Sequence, residues 1–134
     1  MTSSEELQRL IKATLEADAN VMELAFRVYD HVSSTSPYGS KNSYIAFGPM
    51  DTVEDDAGCI SGVETTIQLD IWTRKAAAIE CRRLTDLVRR ALHGKDLTLT
   101  ENALVSIRVP LTRVFPDPSQ DHHGVVQVTC LVEE

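Results

Sequence analysis

Between Glu64 and Leu92 the chain changes its hydrophobic rhythm, and that change limits what it can fold into. Up to Thr73, "ETTIQLDIWT" alternates, with Ile67, Leu69 and Ile71 on one side and Gln68, Asp70 and Trp72 on the other, the two-residue period of a strand. After Lys75 the apolar positions Ala77, Cys81, Leu84, Leu87, Val88 and Ala91 recur at three- and four-residue spacing, the stripe of one helix face. The helix is expected to close at His93-Gly94, where glycine suits a left-handed cap. Ile67, Leu69, Leu84 and Val88 are the expected core of this unit.

The flanking segments extend the pattern. Ser3 and Glu6 form a capping-box signature, and Leu7, Leu10, Ile11 and Leu15 then lie on one stripe, which predicts a first helix ending near Ala17. "DANVMELAF" continues as a short turn of helix, and "RVYDHV" reads as a strand with Val28 and Val32 opposite Arg27, Tyr29 and His31. "SSTSPYGSKN" has the composition of a loop, and "SYIAFG" is a strand stopped by Gly48-Pro49. "PMDTVEDDAGCISG" combines acids with two glycines and few apolar anchors, which predicts a long mobile loop or a hairpin arm.

Near the end, "LVSIRVPLTRVF" alternates with Val105, Ile107, Val109 and Leu111 on one side, while Pro110 lacks a ladder donor and predicts an edge or a bulge. "PDPSQDHHG" reads as a turn, and "VVQVTCLVE" as a closing strand with Val126, Val128, Cys130 and Val132 on one face. The order is helix, strands, helix, strands, with short links that favour antiparallel neighbours. The fold class is therefore α+β: one mixed or antiparallel sheet packed with two helices, in a single domain spanning 1–134.

No apolar run approaches the roughly 20 residues needed to cross a bilayer, so no membrane partner is expected. The N-terminus carries acids and amphipathic spacing in place of a basic segment and a solid apolar run, so the expected compartment is the cytoplasm where the chain is made. Cys59, Cys81 and Cys130 are widely spaced and odd in number, which predicts free thiols. A net charge of −7 opposes nonspecific adhesion to polyphosphate.

Catalytic patterns are sparse. Asp121, His122 and His123 are the most site-like cluster, since imidazole and carboxylate bind metals and move protons. Adjacent strand residues point opposite ways, however, and Pro116, Pro118, Ser119 and Gly124 around them favour a solvated turn. Cys59 sits among acids that oppose thiolate formation. Asp51, Glu54, Asp55 and Asp56 lack the ligand alternation of a calcium loop and read as a solvated or partner-facing surface. No phosphate loop, nucleophile elbow or zinc-ligand pair occurs, and no metal or cofactor is expected.

Most of the positive charge lies on or beside one helix: Arg74, Lys75, Arg82, Arg83, Arg89 and Arg90. Three readings stand. The face is solvated, with Asp86 pairing to Arg82, Arg83 or Arg90 at helical spacing, or it meets an acidic surface such as the Asp51, Glu54, Asp55 and Asp56 loop of another copy, or, third, it meets nucleic acid.

The succession of an amphipathic helix, "RVYDHV", a Pro-Tyr loop, "SYIAFG", an acidic loop, "TTIQLDIWTRK", a helix ending "RRALHG" and a closing "HHGVVQVTCLVEE" resembles the tail-completion family of tailed bacteriophages, found also in prophages and gene transfer agents. The resemblance runs from about Leu7 to Glu133, and none of its segments is a catalytic signature. It implies a structural, non-enzymatic α+β subunit. That subunit assembles as a six-membered ring on the head-proximal end of the tail tube, stops tube growth, and joins the tail to the head through the tail tube protein and a head-completion or adaptor protein. DNA would pass through the bore without specific binding. "SSTSPYGSKN" is longer and more polar than in the family, and the Asp51 to Asp56 loop more acidic. The competing functions are a small cytosolic adaptor or binding module, and a small hydrolase using His122 or His123.

Overall fold

The computed structural model describes residues 1–56 and 61–134. Helix α1 (Ser3–Glu16) buries the stripe expected of it, with Leu7, Ile11 and Leu15 fully enclosed. Its cap differs from the sequence signature. Thr2 is the N-cap, its hydroxyl accepting from the Glu5 N–H at 3.4 Å, and Glu6 turns inward to another part of the chain instead of closing a capping box. Asp18 caps the short helix α2 (Ala19–Leu24) by accepting from the Asn20 and Val21 N–H groups.

Strand β1 (Ala25–Tyr29) begins and ends earlier than "RVYDHV" suggests, and the Asp30 carboxylate that follows it accepts from Gln8 and Lys12 of α1. Strands β2 (Ser43–Glu54) and β3 (Gly62–Thr73) form a long antiparallel hairpin. Of the two expectations for the acidic segment, the hairpin arm holds through Glu54, after which Asp55 and Asp56 leave the strand; Ala57 to Ile60, with Cys59, lie outside the described residues. A turn of 3-10 helix then leads into α3 (Ala78–Leu92), followed by β4 (Ala103–Pro116) and β5 (His122–Glu133). The α+β class is as expected, but the order differs in detail: three helices stand in place of two, the short helical turn expected at "DANVMELAF" being the separate helix α2.

The strands form one mixed sheet in the order β1-β2-β3-β5-β4. Only β1–β2 is parallel, and the polar loop between them supplies the length a parallel return requires. The helices cover one face. Ile45, Ile67, Leu69, Ile71, Val126, Val128, Cys130 and Val132 meet Leu84, Val88 and Leu92 of α3 and the stripe of α1 there. Each such aliphatic side chain withdrawn from water contributes roughly 1.5–3 kcal/mol.

The uncovered face shows the alternate residues. Register places Asp51, Thr66, Thr129 and Arg108 in one row across it, and Tyr44, Trp72, His123 and Phe115 in another. β4 is an edge strand with a register shift between Arg108 and Leu111, as Pro110 predicts. The irregular pairing overturns part of the expected alternation. Ile107 and Val109 are buried, but Val105 and Leu111 stand 51% and 42% exposed.

Candidate functional site

The site-like cluster of the sequence divides three ways. His122 and His123 open strand β5 instead of lying in a solvated turn, and alternation sends them to opposite faces. His123 stacks on Trp72 with centroids 4.0 Å apart, and its Nε2 lies 2.8 Å from Asp70 Oδ1. His122 lies on the helix side beside Ile79 and Arg82. Asp121 accepts from the Tyr38 hydroxyl at 2.9 Å and from the Lys75 N–H at 3.1 Å, so it orders the turn entering α3. Burial, then that hydrogen bond to Asp121, raises the Tyr38 hydroxyl above its ordinary value. The three residues do not share a reacting centre.

Cys81 and Cys130 are free and buried. Burial raises both thiols, Cys130 to about 12, the reverse of what a nucleophile requires. Among the described residues no His, Cys, Asp and Glu side chains gather as a metal site needs. No described helix is long and apolar enough to cross a membrane. A groove of about 610 Å³ runs along α1 past Gln8, Lys12, Asp30 and Met50. Its polar groups are spent on one another, with Asp30 accepting from Gln8 at 3.0 Å and Lys12 at 3.3 Å.

The charged surfaces are less internally satisfied. Asp51, Glu54, Asp55 and Asp56 are all exposed at the end of the β2–β3 hairpin. The Asp55 N–H donates to the Gly62 carbonyl at 2.9 Å and the Gly62 N–H to Asp56 Oδ1 at 3.1 Å, which fixes the hairpin's described end. A hydrogen bond shared with Asp56, and then the charge on Asp56, push the Glu54 carboxyl above its ordinary value. The acids crowd one another, and among the described residues none of the four makes an ion pair.

The basic face is differently composed from the expectation. Arg74 lies over the Tyr38 ring, 4.6 Å from its centroid, and donates to the Lys41 carbonyl, while Lys75 bonds to the turn before β5. Both serve internal contacts. Arg82, Arg83, Arg89 and Arg90 are exposed, and the expected pairing with Asp86 is absent among the described residues. Helical twist separates them. Arg82 lines a depression with Phe115 and His122, Arg83 another with Glu23 and Leu87, and Arg89 and Arg90 a third with His93 and Lys95.

Sequence reasoning missed Lys95 and Arg108. Gly94, with φ +67°, reverses the chain so that Lys95 returns beside the helix end. The Gly94 N–H donates to the Ile107 carbonyl and His93 Nδ1 accepts from the Val109 N–H, both at 2.9 Å, which fastens that end to β4 on either side of Arg108. Only the glycine gave a signal in the sequence; the joining to β4 is tertiary.

Exposed carboxylates at the hairpin end and exposed arginines along α3, with histidines that do not converge, leave the charged surfaces as the candidate site. The chain belongs to the family of tail completion protein gp17, whose model matches residues 9–133, and is thus a structural protein of the phage-tail class. A chain in the solved virion of a native gene transfer agent particle has the same fold, with a TM-score of 0.84 and 22% identity over 98% of this chain and 97% of that one. Comparison with curated proteins returned no match.

Proposed function

We propose that this protein is a tail terminator: copies associate as a six-membered ring at the head-proximal end of the tail tube, stop its growth and join tail to head. Family membership over nearly the whole chain carries the reading. The separated charges support it, since Asp51, Glu54, Asp55 and Asp56 on one side and Arg82, Arg83, Arg89 and Arg90 on another suit contacts that repeat from copy to copy. The partners are further copies, the tail tube protein, and a head-completion or adaptor protein. Assembly takes place in the host cytoplasm, and DNA crosses the bore without specific binding because a ring of acidic chains has little to offer phosphate. The test is to mix the purified chain with cognate tail tubes and image the ends by electron microscopy. A ring at one end is expected; bare ends on competent tubes would overturn the proposal in favour of an adaptor.

A further inference from the structure

The depression beside Arg89 and Arg90, about 420 Å³, adjoins another of about 380 Å³ along the β4 edge, and the two share His93 and Lys95. Lys95 stands between them: Arg89 and Arg90 line the first and Arg108, on the uncovered face of β4, lines the second, so the trough they make along this edge carries four cations. Asp86 and Asp96 also line it, but among the described residues none of the four cations is paired with a carboxylate. Val105 stands 51% exposed on its rim.

The β2–β3 hairpin end has the opposite character. Asp51, Glu54, Asp55 and Asp56 are exposed there with no ion-pair partner among the described residues, and Val53 beside them is 62% exposed. The side of β2 facing away from β3 has lost its neighbour there, since β1 is in register only with Ser43 to Ala46. Hairpin end and trough lie toward opposite edges of the sheet.

We infer that the trough formed by Arg89, Arg90, Lys95 and Arg108 receives the acidic hairpin end of a second copy, carrying Glu54, Asp55 and Asp56, with Val53 set against Val105. Two different patches meeting once per pair of copies make a head-to-tail contact, which when repeated gives a closed ring or an open chain. The inference rests on the proposed ring and narrows it. The joint uses Arg89 and Arg90 but not Arg82 or Arg83, and adds Lys95 and Arg108. The contact is charge-dominated and weakens as salt screens it. The chain itself supplies a matching acidic end, and its net charge of −7 opposes adhesion to polyphosphate.

The experiment couples carboxylates to amines with a carbodiimide, in a mixture of isotopically light and heavy protein, both in concentrated low-salt solution and on capped tube ends. Mixed-label links from Lys95 to Glu54, Asp55 or Asp56 are expected, and their absence from both samples overturns the inference. Charge reversal supplies the second arm. Arg89→Glu with Lys95→Glu, or Asp55→Lys with Asp56→Lys, should each weaken association about tenfold or more, and all four together should restore most of it. Circular dichroism checks each fold, and Arg89→Gln with Asp56→Asn replaces any variant that fails to fold. Association indifferent to both reversals, or a trough reversal that abolishes binding to duplex DNA while leaving association intact, overturns the inference. Tubes still capped by such indifferent variants would leave the terminator reading standing on another joint; the expected links and charge rescue without capping would overturn the terminator reading instead.

Discussion

Glu6 and Thr100 stand 94 positions apart, yet one Glu6 carboxylate oxygen accepts from both the Thr100 N–H and its hydroxyl at 2.8 Å. The other oxygen accepts from the Asn102 N–H at 3.0 Å and its side-chain amide at 2.8 Å, so one buried acid ties α1 to the segment entering β4. Burial alone would raise this carboxyl. The Thr100 hydroxyl, the Glu101 N–H and the Asn102 amide outweigh it and hold the group at about 2.

Acid should therefore undo this tie. The unfolded group titrates near 4.5, so its contribution is fully present above that pH and is lost as pH falls from 4.5 toward 2. Glu6→Gln should lower the thermal midpoint at pH 7 by roughly 3–8 °C. The gap between variant and parent should narrow by pH 2. A gap unchanged between the two pH values, followed by circular dichroism, would show that the ionised carboxylate is not what stabilises the tie.

Gly124 sits in β5 directly beneath α3. A Cβ there would lie 2.4 Å from Thr85 Oγ1, 3.2 Å from Ile71 Cβ and 3.4 Å from Cys81 Sγ. Gly124→Ala is expected to destabilise by about 1–3 kcal/mol in urea titration, the usual range for overpacking. Adding Thr85→Ala removes the nearest atom and should recover part of the loss. A neutral single variant would mean that α3 has room to move off the sheet.

The local periodicities read well because burial on one face imposes them. Ile67, Leu69, Leu84 and Val88, named from spacing alone, are all fully enclosed. What failed depends on contacts distant in the chain. Glu6 looks like the partner of Ser3 until Thr100 to Asn102 fold against it, and nothing local announces that competition. Val105 and Leu111 share a stripe with Ile107 and Val109 only if the strand is regular, and the register shifts between Leu104 and Ser106 and between Arg108 and Leu111 break that regularity on either side of the buried pair. Position along the chain gathers the arginines on one helix, whereas the structure sorts them by the neighbouring element each one meets.

The native thiols give a check on packing. Cys81 and Cys130, enclosed and raised by burial, should resist iodoacetamide at pH 8 until the chain unfolds. Peptide mapping of labelled native and urea-unfolded protein reads this directly. Rapid native labelling at Cys130 would contradict a closed core beneath α3.

His93 offers the sharpest test of how the helix end is held against the edge strand. Pro110 interrupts the ladder of β4, and the neighbouring Val109 N–H, in a residue only 1% exposed, finds its partner in His93 Nδ1 at 2.9 Å. That acceptor requires the tautomer with its proton on Nε2. His93→Ala leaves a buried donor unpaired and should cost about 1–3 kcal/mol. His93→Asn, whose side-chain oxygen occupies nearly the place of Nδ1, should restore much of the loss. Amide hydrogen exchange at Val109 gives the site-specific readout, with faster exchange expected in His93→Ala and partial protection returned in His93→Asn. Equal exchange in all three proteins would mean that the backbone of β4, and not the imidazole, protects this amide, and that α3 is fastened through the Gly94 to Ile107 bond alone.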